Sequence, residues 1–444
     1  MFGLFNSAGV RNRSGGSRST PLRRAFCAVL VCLGPADLLA SDTVRFATFN
    51  VSFYGKQAGD VTRRLARVGD PQASAVAEII QRVRPDVLLL NEVDYDAAGR
   101  LVGLFQQNYL HHGQNVSQSP SGPAEPIDFP YRFLAPVNTG RHSGFDLDRN
   151  GRVDRQPGSR DYGGDSWGFG RYLGQYGMVL LSRFPIANNE ARTFREFLWQ
   201  SMPGALLPDD PATTASADWY SAEMLGQFPL SSKSHWDVPV HIGGRTIHVL
   251  ASHPTPPVFD GPEDRNGRRN RDEIRFWADY IGPAAASAYI RDDLGKSAGI
   301  AENASFVILG DMNSDPSDGQ GQAGIGRLLA SARILSQPIP ASAGARQQAT
   351  SQGGANAGQH GNPAYDTLDA ADQPGPGNLR TDYVLPSTDL PIHAAGVYWP
   401  RREAPTFRLV GVHPFPSSDH RLVWVDVELC RAARHGANRE APKY

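Results

Sequence analysis

The chain has 444 residues, of which 40% are hydrophobic, and it includes 46 glycines and 34 prolines. The 44 Lys and Arg residues nearly balance the 45 Asp and Glu residues, so a net charge of -1 gives no general support for a polyanion-binding protein. Three cysteines exclude a disulfide-rich scaffold and a thiolate zinc cluster. The apolar content predicts a large globular core rather than a disordered or fibrous chain.

The first 40 residues have the composition of an export signal. Five arginines and no acidic residue occur in residues 1–24, an apolar run follows at 25–34, and small residues surround positions 40 and 41. This order predicts a signal peptide over residues 1–40, and the pair Arg23-Arg24 makes twin-arginine export one of the open routes. We therefore expect an exported protein, periplasmic or extracellular. The alternative is a basic tail on a cytosolic protein.

Removal of this signal changes the charge and the thiol count. The remaining chain has 39 basic and 44 acidic residues, a net charge of -5, and one thiol, Cys430. No intrachain disulfide is then possible. The apolar run of the signal is too short to span a bilayer, so no transmembrane segment is expected after its removal. The expected oligomeric state is a monomer.

Strand and helix patterns alternate along residues 41–430. Asp70 can cap a helix that ends near Arg84, Pro71 suits its first turn, and its apolar residues recur at helical spacing. A second helix is predicted at 272–281. Strands are predicted at 44–50, 87–90, 177–183, 238–242, 246–252, 306–309, 382–385 and 422–429. Such alternation indicates an α/β fold.

Long segments without periodicity separate these elements. They cover residues 111–175, 200–235 and 340–378, and the last is predicted to be a loop or mobile flap because it is rich in Ala, Gln, Gly and Pro. Core-like strands resume after each of them. We therefore interpret residues 41–430 as one domain with long insertions, followed by a C-terminal tail at 431–444.

Acid, amide and imidazole side chains recur at the ends of the predicted strands. They are Asn50, Glu92, His253, Asp311, Asn313, Asp382, Asp419 and His420. One such residue is usually a turn former, but burying so many of them unpaired would be costly. Attack of water on a phosphate ester needs this set, because carboxylate and amide oxygens suit Mg²⁺ or Mn²⁺ and imidazoles can donate to phosphoryl oxygens or protonate a leaving group.

The motifs that carry these residues resemble those of the endonuclease/exonuclease/phosphatase superfamily. In chain order they are Phe49-Asn50, Asn91-Glu92-Val93, Gly310-Asp311-Met312-Asn313, Thr381-Asp382-Tyr383 and Ser418-Asp419-His420. The resemblance covers about residues 44–429. It implies an α/β (α+β) fold of the deoxyribonuclease type, a four-layer β-sandwich of two mixed sheets flanked by helices, with the active site at one edge.

The same resemblance implies roles for the metal-binding and phosphate-binding residues. Glu92 is expected to be the metal ligand, with Asn50 and Asp419 close to the ion. Asp311 and Asn313 are expected to surround the nucleophilic water and the phosphate.

The resemblance also implies how the histidines act. Asp382 is expected to orient and charge His420, and whether Asp311 or His420 takes the proton of the water stays open. His253 falls where nuclease members place a residue that serves the leaving group. Gln175 stands where deoxyribonucleases have a Glu that supports this histidine, so it is a further candidate for contact with His253 or the substrate.

A second motif has the D-x-D-x-N-G start of a calcium loop. Its oxygen ligands are Asp146, Asp148, Asn150 and Asp154. Pro157 at position 12 excludes an EF-hand, which needs Glu there. The alternatives are a stand-alone Ca²⁺ loop that orders residues 111–175 and an ordinary turn rich in Asp and Gly.

A run of arginines follows the His253 loop, between residues 265 and 275. Such runs are usually solvated faces, and acidic residues dilute this one. Because Arg suits phosphate and the run lies beside the expected site, Arg268 and Arg269 are candidates for contact with phosphate.

Together these patterns predict an exported, divalent-metal-dependent phosphoesterase that hydrolyses phosphodiester bonds, of the nuclease type. Nucleic acid is one candidate substrate. A phosphomonoesterase or a sphingomyelinase or inositol-phosphate type of hydrolase is the alternative within the enzyme class. The alternative from another class is a non-catalytic surface-binding protein on the same fold.

Overall fold

A computed structural model describes residues 43–372 and 374–429, and the strands in these residues form two mixed β-sheets. The strands are β1 (Thr43–Phe53), β2 (Val87–Val93), β3 (Tyr131–Phe133), β4 (Gly177–Ser182), β5 (Arg192–Thr193), β6 (His235–Ile242), β7 (Arg245–Ser252), β8 (Ser305–Asp311), β9 (Asp382–Pro386), β10 (Ile392–Val397) and β11 (Val423–Glu428). The predicted signal peptide, Cys430 and the predicted tail lie outside the described residues.

The first sheet has the strand order β10-β11-β1-β2-β4-β3, and the second has the order β5-β6-β7-β8-β9. In the first sheet β1 and β2 run parallel, and in the second β7 and β8 run parallel. The other paired strands are antiparallel. The predicted hairpin through Gly243-Gly244 joins β6 to β7.

The helices flank these sheets. They are α1 (Asp60–Leu65), α2 (Pro71–Val83), α3 (Arg100–Phe105, continued by a π-helical turn at Gln106–Leu110), α4 (Arg160–Gly164), α5 (Ala222–Leu225), α6 (Arg265–Tyr280), α7 (Ala284–Ser287), α8 (Gln322–Leu329) and α9 (Ala343–Gln352). Among the helices of the described residues, none combines the length and the apolar content that a membrane span requires.

The sandwich core lies between the two sheets. Strands β1 and β2 of the first sheet pack against β8 of the second. Phe46 of β1 and Leu309 of β8 are fully buried there. Burial of each such side chain contributes roughly 1.5–3 kcal/mol. The predicted architecture of two mixed sheets flanked by helices is confirmed.

A second apolar core covers the other face of the five-stranded sheet. Ile274 and Trp277 of α6 and Ile325 of α8 pack there with Ile308 of β8. The strand β8 therefore has apolar residues on both faces, which explains why its sequence is a continuous apolar run rather than an alternating one.

Helix α2 follows its sequence signals closely. The Asp70 side chain accepts a hydrogen bond from the backbone N–H of Ala73 at 3.0 Å, and Pro71 occupies the first helical position. The last helical residue is Val83. Arg84 caps the helix in the left-handed conformation and precedes Pro85. The expected helix was 70–84, and the observed one is Pro71–Val83.

Residues 340–378 differ from the loop or mobile flap that their composition predicts, because they contain α9. The Ser342 side chain caps this helix by accepting from the N–H groups of Gly344 and Ala345. Near its end, Gln352 donates to Asp369 at 2.7 Å, and Asp369 in turn pairs with the buried Arg421. The segment is therefore tied to the chain beside His420.

Candidate active site

The polar residues predicted from the strand ends meet at one edge of the sandwich. Asn50 and Glu92 lie near the carboxyl ends of the parallel strands β1 and β2, and His253 and Asp311 lie at those of the parallel strands β7 and β8. The antiparallel strands β9 and β11 begin at this same edge, where they bring Asp382 and the pair Asp419-His420. The topology explains why residues from six strands converge.

Asp311 lies at the centre of this cluster. One carboxylate oxygen, Oδ2, accepts from Asn50 Nδ2 at 3.0 Å and lies 3.4 Å from His253 Nε2 and 3.6 Å from His420 Nε2. The other oxygen accepts from the backbone N–H of Asn313 at 2.9 Å. Burial opposes ionisation, but His420, His253 and Asn50 outweigh it and hold the pKa of Asp311 below its usual range. Asp311 is therefore an ionised acceptor.

Asp382 and His420 form the expected pair. His420 Nδ1 lies 2.9 Å from Asp382 Oδ2, and that oxygen also accepts from the hydroxyls of Thr367 and Thr381 at 2.7 and 3.0 Å. Burial disfavours a charged imidazole, yet the carboxylates of Asp382 and Asp311 outweigh this and raise the pKa of His420 well above its usual range. The His420 ring is thus an imidazolium whose Nδ1 donates to Asp382, while its Nε2 lies 3.6 Å from Asp311, too far for a hydrogen bond.

Glu92 is a buried carboxylate whose surroundings favour a bound cation. It adopts the left-handed backbone conformation, with φ 58°, and its pKa is raised to about 7 by burial and by the nearby charge of Asp419. Among the described residues Asn50 Oδ1 accepts one hydrogen bond, from Ser52 N–H at 3.2 Å, which leaves a lone pair for a cation. These oxygens fit a hard divalent cation.

A second grouping of possible metal ligands overlaps this cluster. Donor atoms of Asp311, Asp382 and His420 lie within 4.8 Å of one another. A metal-bound imidazole must be neutral, however, and the two carboxylates favour a protonated His420. The hydrogen-bonded arrangement therefore fits a charge-paired histidine better than a metal ligand.

His253 follows β7 and is almost fully buried, with 2% exposure. Its Nε2 faces Asp311, and its Nδ1 has no hydrogen-bond partner among the described residues. Burial, joined by the charge of Lys233, lowers the pKa of His253 to about 4. The imidazole is therefore neutral near neutral pH, and it can donate a hydrogen bond but does not carry a charge.

Gln175 does not make its expected contact with His253. The side chain is buried, but its Nε2 donates to Gly55 O at 3.0 Å and its Oε1 accepts from Arg171 N–H at 2.8 Å. The expected contact with His253 is not made because the amide joins two backbone segments, and contact of Gln175 with the substrate stays a prediction. Asp311 is the carboxylate that faces His253 instead.

The structure does not bring Arg268 and Arg269 into the cluster, and their contact with phosphate stays a prediction. Arg269 is buried and donates to the carbonyl oxygens of Leu230 and Pro229. Arg268 pairs with Asp209 at 3.0 Å. Both guanidinium groups hold the 200–235 segment against α6, which is a structural use of the arginine run.

The predicted calcium loop has a different set of neighbours from the expected one. Asp146, Asp148 and the buried Asp165 have carboxylate oxygens within 4.8 Å of one another. Asp154 does not belong to this group, because its carboxylate accepts from Ser159 and Gln156. The Asn150 side chain accepts from the N–H of Arg152. Calcium binding at this loop stays a prediction.

Other residues of the site have no counterpart in the sequence prediction. Tyr54 and Tyr176 contact each other beside Glu92, with ring centroids 4.6 Å apart. Burial and the Glu92 charge raise the pKa of Tyr176 to about 12.

Lys233 is buried next to the His253 loop, and its position opposite Pro254 could have been found by extending the predicted hairpin towards its open end.

The chain can now be compared with known proteins. Residues 47–420 match the family model described as the Endonuclease/Exonuclease/phosphatase family. No curated protein sequence matches the chain. The match to the family model covers most of the chain and includes every motif from Asn50 to His420.

Several solved structures are similar to this chain. An endonuclease/exonuclease/phosphatase from Beutenbergia cavernae is 17% identical, with 87% of this chain and 72% of that chain covered and a TM-score of 0.45. Sphingomyelinase C from Streptomyces griseocarneus is 14% identical, with 86% and 99% covered and a TM-score of 0.37. The human Nocturnin catalytic domain with bound sulfate anion is 14% identical, with 87% and 94% covered and a TM-score of 0.41.

The family match and the convergence of the motif residues at one edge of the sandwich agree. The chain therefore belongs to the endonuclease/exonuclease/phosphatase family, whose members are hydrolases that act on phosphoester bonds.

Proposed function

We propose that the protein is a divalent-metal-dependent phosphodiesterase of the nuclease type, which uses water to break a phosphoester bond. The observation that carries this proposal is the convergence on Asp311 of two imidazoles and one amide, beside the carboxylate of Glu92. Such a set combines an anionic acceptor for water with several donors for phosphoryl oxygens.

Glu92, Asp419 and Asn50 would hold the cation. Their oxygen atoms suit Mg²⁺ or Mn²⁺ better than a soft metal. A bound divalent ion would supply positive charge at a phosphoryl oxygen. Without a cation, burial and the charge of Asp419 raise the pKa of Glu92, which supports the assignment of Glu92 as a ligand.

Asp311 is the better candidate for the residue that orients and deprotonates the attacking water. Of the two residues that the sequence leaves open for this role, His420 already holds its proton, whereas Asp311 is ionised. His420 then donates from Nε2 to a phosphoryl oxygen, and Asp382 holds the ring in that orientation through Nδ1.

His253 and Asn313 complete the phosphate-binding wall. His253 is neutral, so it is better suited to donate a hydrogen bond than to act as a cationic acid towards the leaving group. The Asn313 amide donates to Pro254 O at 3.0 Å, which fixes the side chain close to His253. Both are positioned to contact the substrate rather than the water.

The test is hydrolysis of a model phosphodiester, bis(p-nitrophenyl) phosphate, by the purified protein. We expect turnover with Mg²⁺ or Mn²⁺ and none after treatment with EDTA. Glu92→Gln, Asp311→Ala and His420→Ala should each lower kcat by about 100- to 10,000-fold, the range for loss of an acid–base group. Glu125→Gln, a change at an exposed carboxylate, is the matched control and should leave the rate unchanged. Full activity of the site variants would refute the proposal.

A substrate panel identifies the ester. It includes DNA, RNA, sphingomyelin, inositol phosphates and the monoester p-nitrophenyl phosphate. Turnover of DNA or RNA supports the nuclease-type proposal. Turnover of sphingomyelin, of inositol phosphates or of the simple monoester alone supports the corresponding alternative. Metal binding without turnover of any substrate would favour the non-catalytic alternative.

A further inference from the structure

Lys233 is a buried cation with almost no partner. The side chain precedes β6 and is 6% exposed. Its ammonium donates a single hydrogen bond, to Pro254 O at 3.4 Å, and within the described parts of the chain it takes part in no ion pair. An ammonium has three N–H donors, and burying a charge without compensation is costly.

Glu273 is the first candidate for a counter-charge, but its carboxylate already accepts hydrogen bonds from the backbone. Glu273 of α6 accepts from the backbone N–H of Ser232 and from that of Thr255, each at 2.6 Å. The carboxylate thus joins the chain on both sides of the hairpin opening. Burial lowers the pKa of Lys233, and the more distant charges of Glu273, Glu92 and Asp311 oppose this. Glu273 holds the backbone next to Lys233 and next to Pro254 and forms no ion pair with Lys233.

The position of Lys233 follows from the strand register. His235 pairs with Ser252 in the β6–β7 ladder, and continuation of that antiparallel register places Lys233 opposite Pro254. Pro254 O accepts from both Lys233 Nζ and Asn313 Nδ2. The ammonium and this amide are therefore neighbours on one carbonyl, directly after His253.

Two hydroxyl groups without partners belong to the residues next to Lys233 and Pro254 in the sequence. The hydroxyls of Ser232 and Thr255 are buried and have no hydrogen-bond partner among the described residues. A metal ion needs acceptor atoms, whereas this place has an unpaired cation and hydroxyls that can donate. It is the environment that an anion with several oxygen acceptors would satisfy.

We propose that Lys233 binds a non-bridging oxygen of the substrate's phosphoryl group, next to the oxygen that Asn313 contacts. The inference rests on the proposed function, because it concerns the same site, and it adds a substrate-binding cation outside the family motifs. The recognised chemistry is a tetrahedral phosphate oxyanion, either in the ester or as free phosphate. Lys233 contributes to binding through charge and hydrogen bonding rather than through proton transfer.

The test compares Lys233→Gln with wild type in a binding assay that needs no turnover. Inorganic phosphate is added to the full-chain protein in EDTA, and the rise in Tm gives its affinity. We expect Lys233→Gln to weaken phosphate binding by about 10- to 100-fold, since hydrogen bonds to charged groups contribute this much to affinity. Lys233→Arg, which keeps the charge, should retain part of the binding. Lys296→Gln, at an exposed lysine before β8, is the matched control.

A kinetic measurement extends the test to the ester. With bis(p-nitrophenyl) phosphate, Lys233→Gln should raise KM more than it lowers kcat, whereas loss of Asp311 should lower kcat. A Lys233→Gln protein with unchanged phosphate affinity and unchanged KM would overturn the inference. If phosphate binding depends on Lys233 but no ester is hydrolysed, the proposed function fails and the inference stands.

A measurement on the wild-type protein does not depend on the folding of any variant. Reductive methylation followed by mass spectrometry reports the accessibility of each lysine amine. We expect phosphate to reduce the modification of Lys233 and to leave that of Lys296 unchanged. Equal modification of Lys233 with and without phosphate would contradict the inference.

Discussion

The imidazole of His420 lies between two carboxylates, with Asp382 at Nδ1 and Asp311 at Nε2. These negative charges outweigh the effect of burial and keep the ring protonated. Much of the expected donor strength of His420 thus depends on Asp382. Substitution of Asp382 therefore separates the positioning of His420 from direct contact with the substrate.

We predict that Asp382→Asn lowers the pKa of His420, because an amide cannot stabilise the imidazolium. The ring then loses its proton at a lower pH than in wild type, so the alkaline limb of the pH profile of kcat/KM should move to lower pH. At neutral pH the rate should fall by about 100-fold or more. Thr367→Val, which removes one hydrogen bond to Asp382, is the milder comparison. An unmoved alkaline limb in Asp382→Asn would contradict this account.

The sequence identifies the residues of the reaction better than those of substrate binding. Asn50, Asp311 and His420 lie in motifs at strand ends, and their contacts follow from topology alone. Arg269 could not be assigned from its charge, because its guanidinium binds two backbone carbonyls that only the tertiary structure places beside it. Lys233 was missed because the hairpin was predicted to start at residue 238, and a lone lysine in an irregular segment has no periodic signal.

At the scale of elements, strand ends and helix starts account for most of the differences from the sequence prediction. Helix α6 begins at Arg265, whereas the sequence predicts a start at residue 272. Its first turns contain mostly charged residues, and its buried apolar residues begin only at Ile274. Helix α9 has little apolar patterning and depends on its Ser342 cap and on neighbouring side chains. Short edge strands such as β3 and β5 contain too few residues for a period-two pattern.

Gly310 shows how closely two elements approach beside the site. It has φ 157°, and a Cβ atom at this position would lie 2.0 Å from the carbonyl oxygen of Ser252 on β7. A side chain here would push β8 away from β7 and displace Asp311, the next residue along the chain. The glycine is therefore required by the contact between strands and not by a turn.

We predict that Gly310→Ala lowers the free energy of unfolding by about 1–3 kcal/mol, the cost of a strained backbone contact, and lowers kcat/KM as well. Gly326→Ala in α8 is the matched control, since a Cβ there meets no atom within 4 Å. In a helix that change should be neutral or stabilising by roughly 0.5–1 kcal/mol. Chemical denaturation and steady-state kinetics of both variants measure the difference. Equal stability of the two variants would count against the close contact.

At the scale of the whole molecule, the fold concentrates acidic groups at one edge of the sandwich. Glu92 and Asp419 are held close enough for the Asp419 charge to raise the pKa of Glu92. Folding without a cation therefore carries an electrostatic cost that a bound cation would remove. The site is expected to reduce the stability of the metal-free protein.

We predict that Glu92→Gln raises the Tm of the protein in EDTA, because one of the two like charges is removed, and that it abolishes most of the rise in Tm caused by Mg²⁺. In wild type the ion should stabilise the fold by about 2.7 kcal/mol at a hundredfold excess over Kd. Differential scanning calorimetry with EDTA and with Mg²⁺ gives both quantities. Glu125→Gln should behave as wild type in both conditions. A lower Tm of Glu92→Gln in EDTA would contradict the electrostatic cost.

The pairing of β1 with β11 sets the order in which the protein can become active during synthesis. Residues 43–48 of β1 pair with residues 423–428, and β1 also carries Asn50 of the site. On the ribosome, β1 must therefore wait for the last described strand before both of its sheet neighbours are present. His420 and Asp419 emerge only just before that strand. A growing chain thus cannot assemble the complete site until β11 has been made.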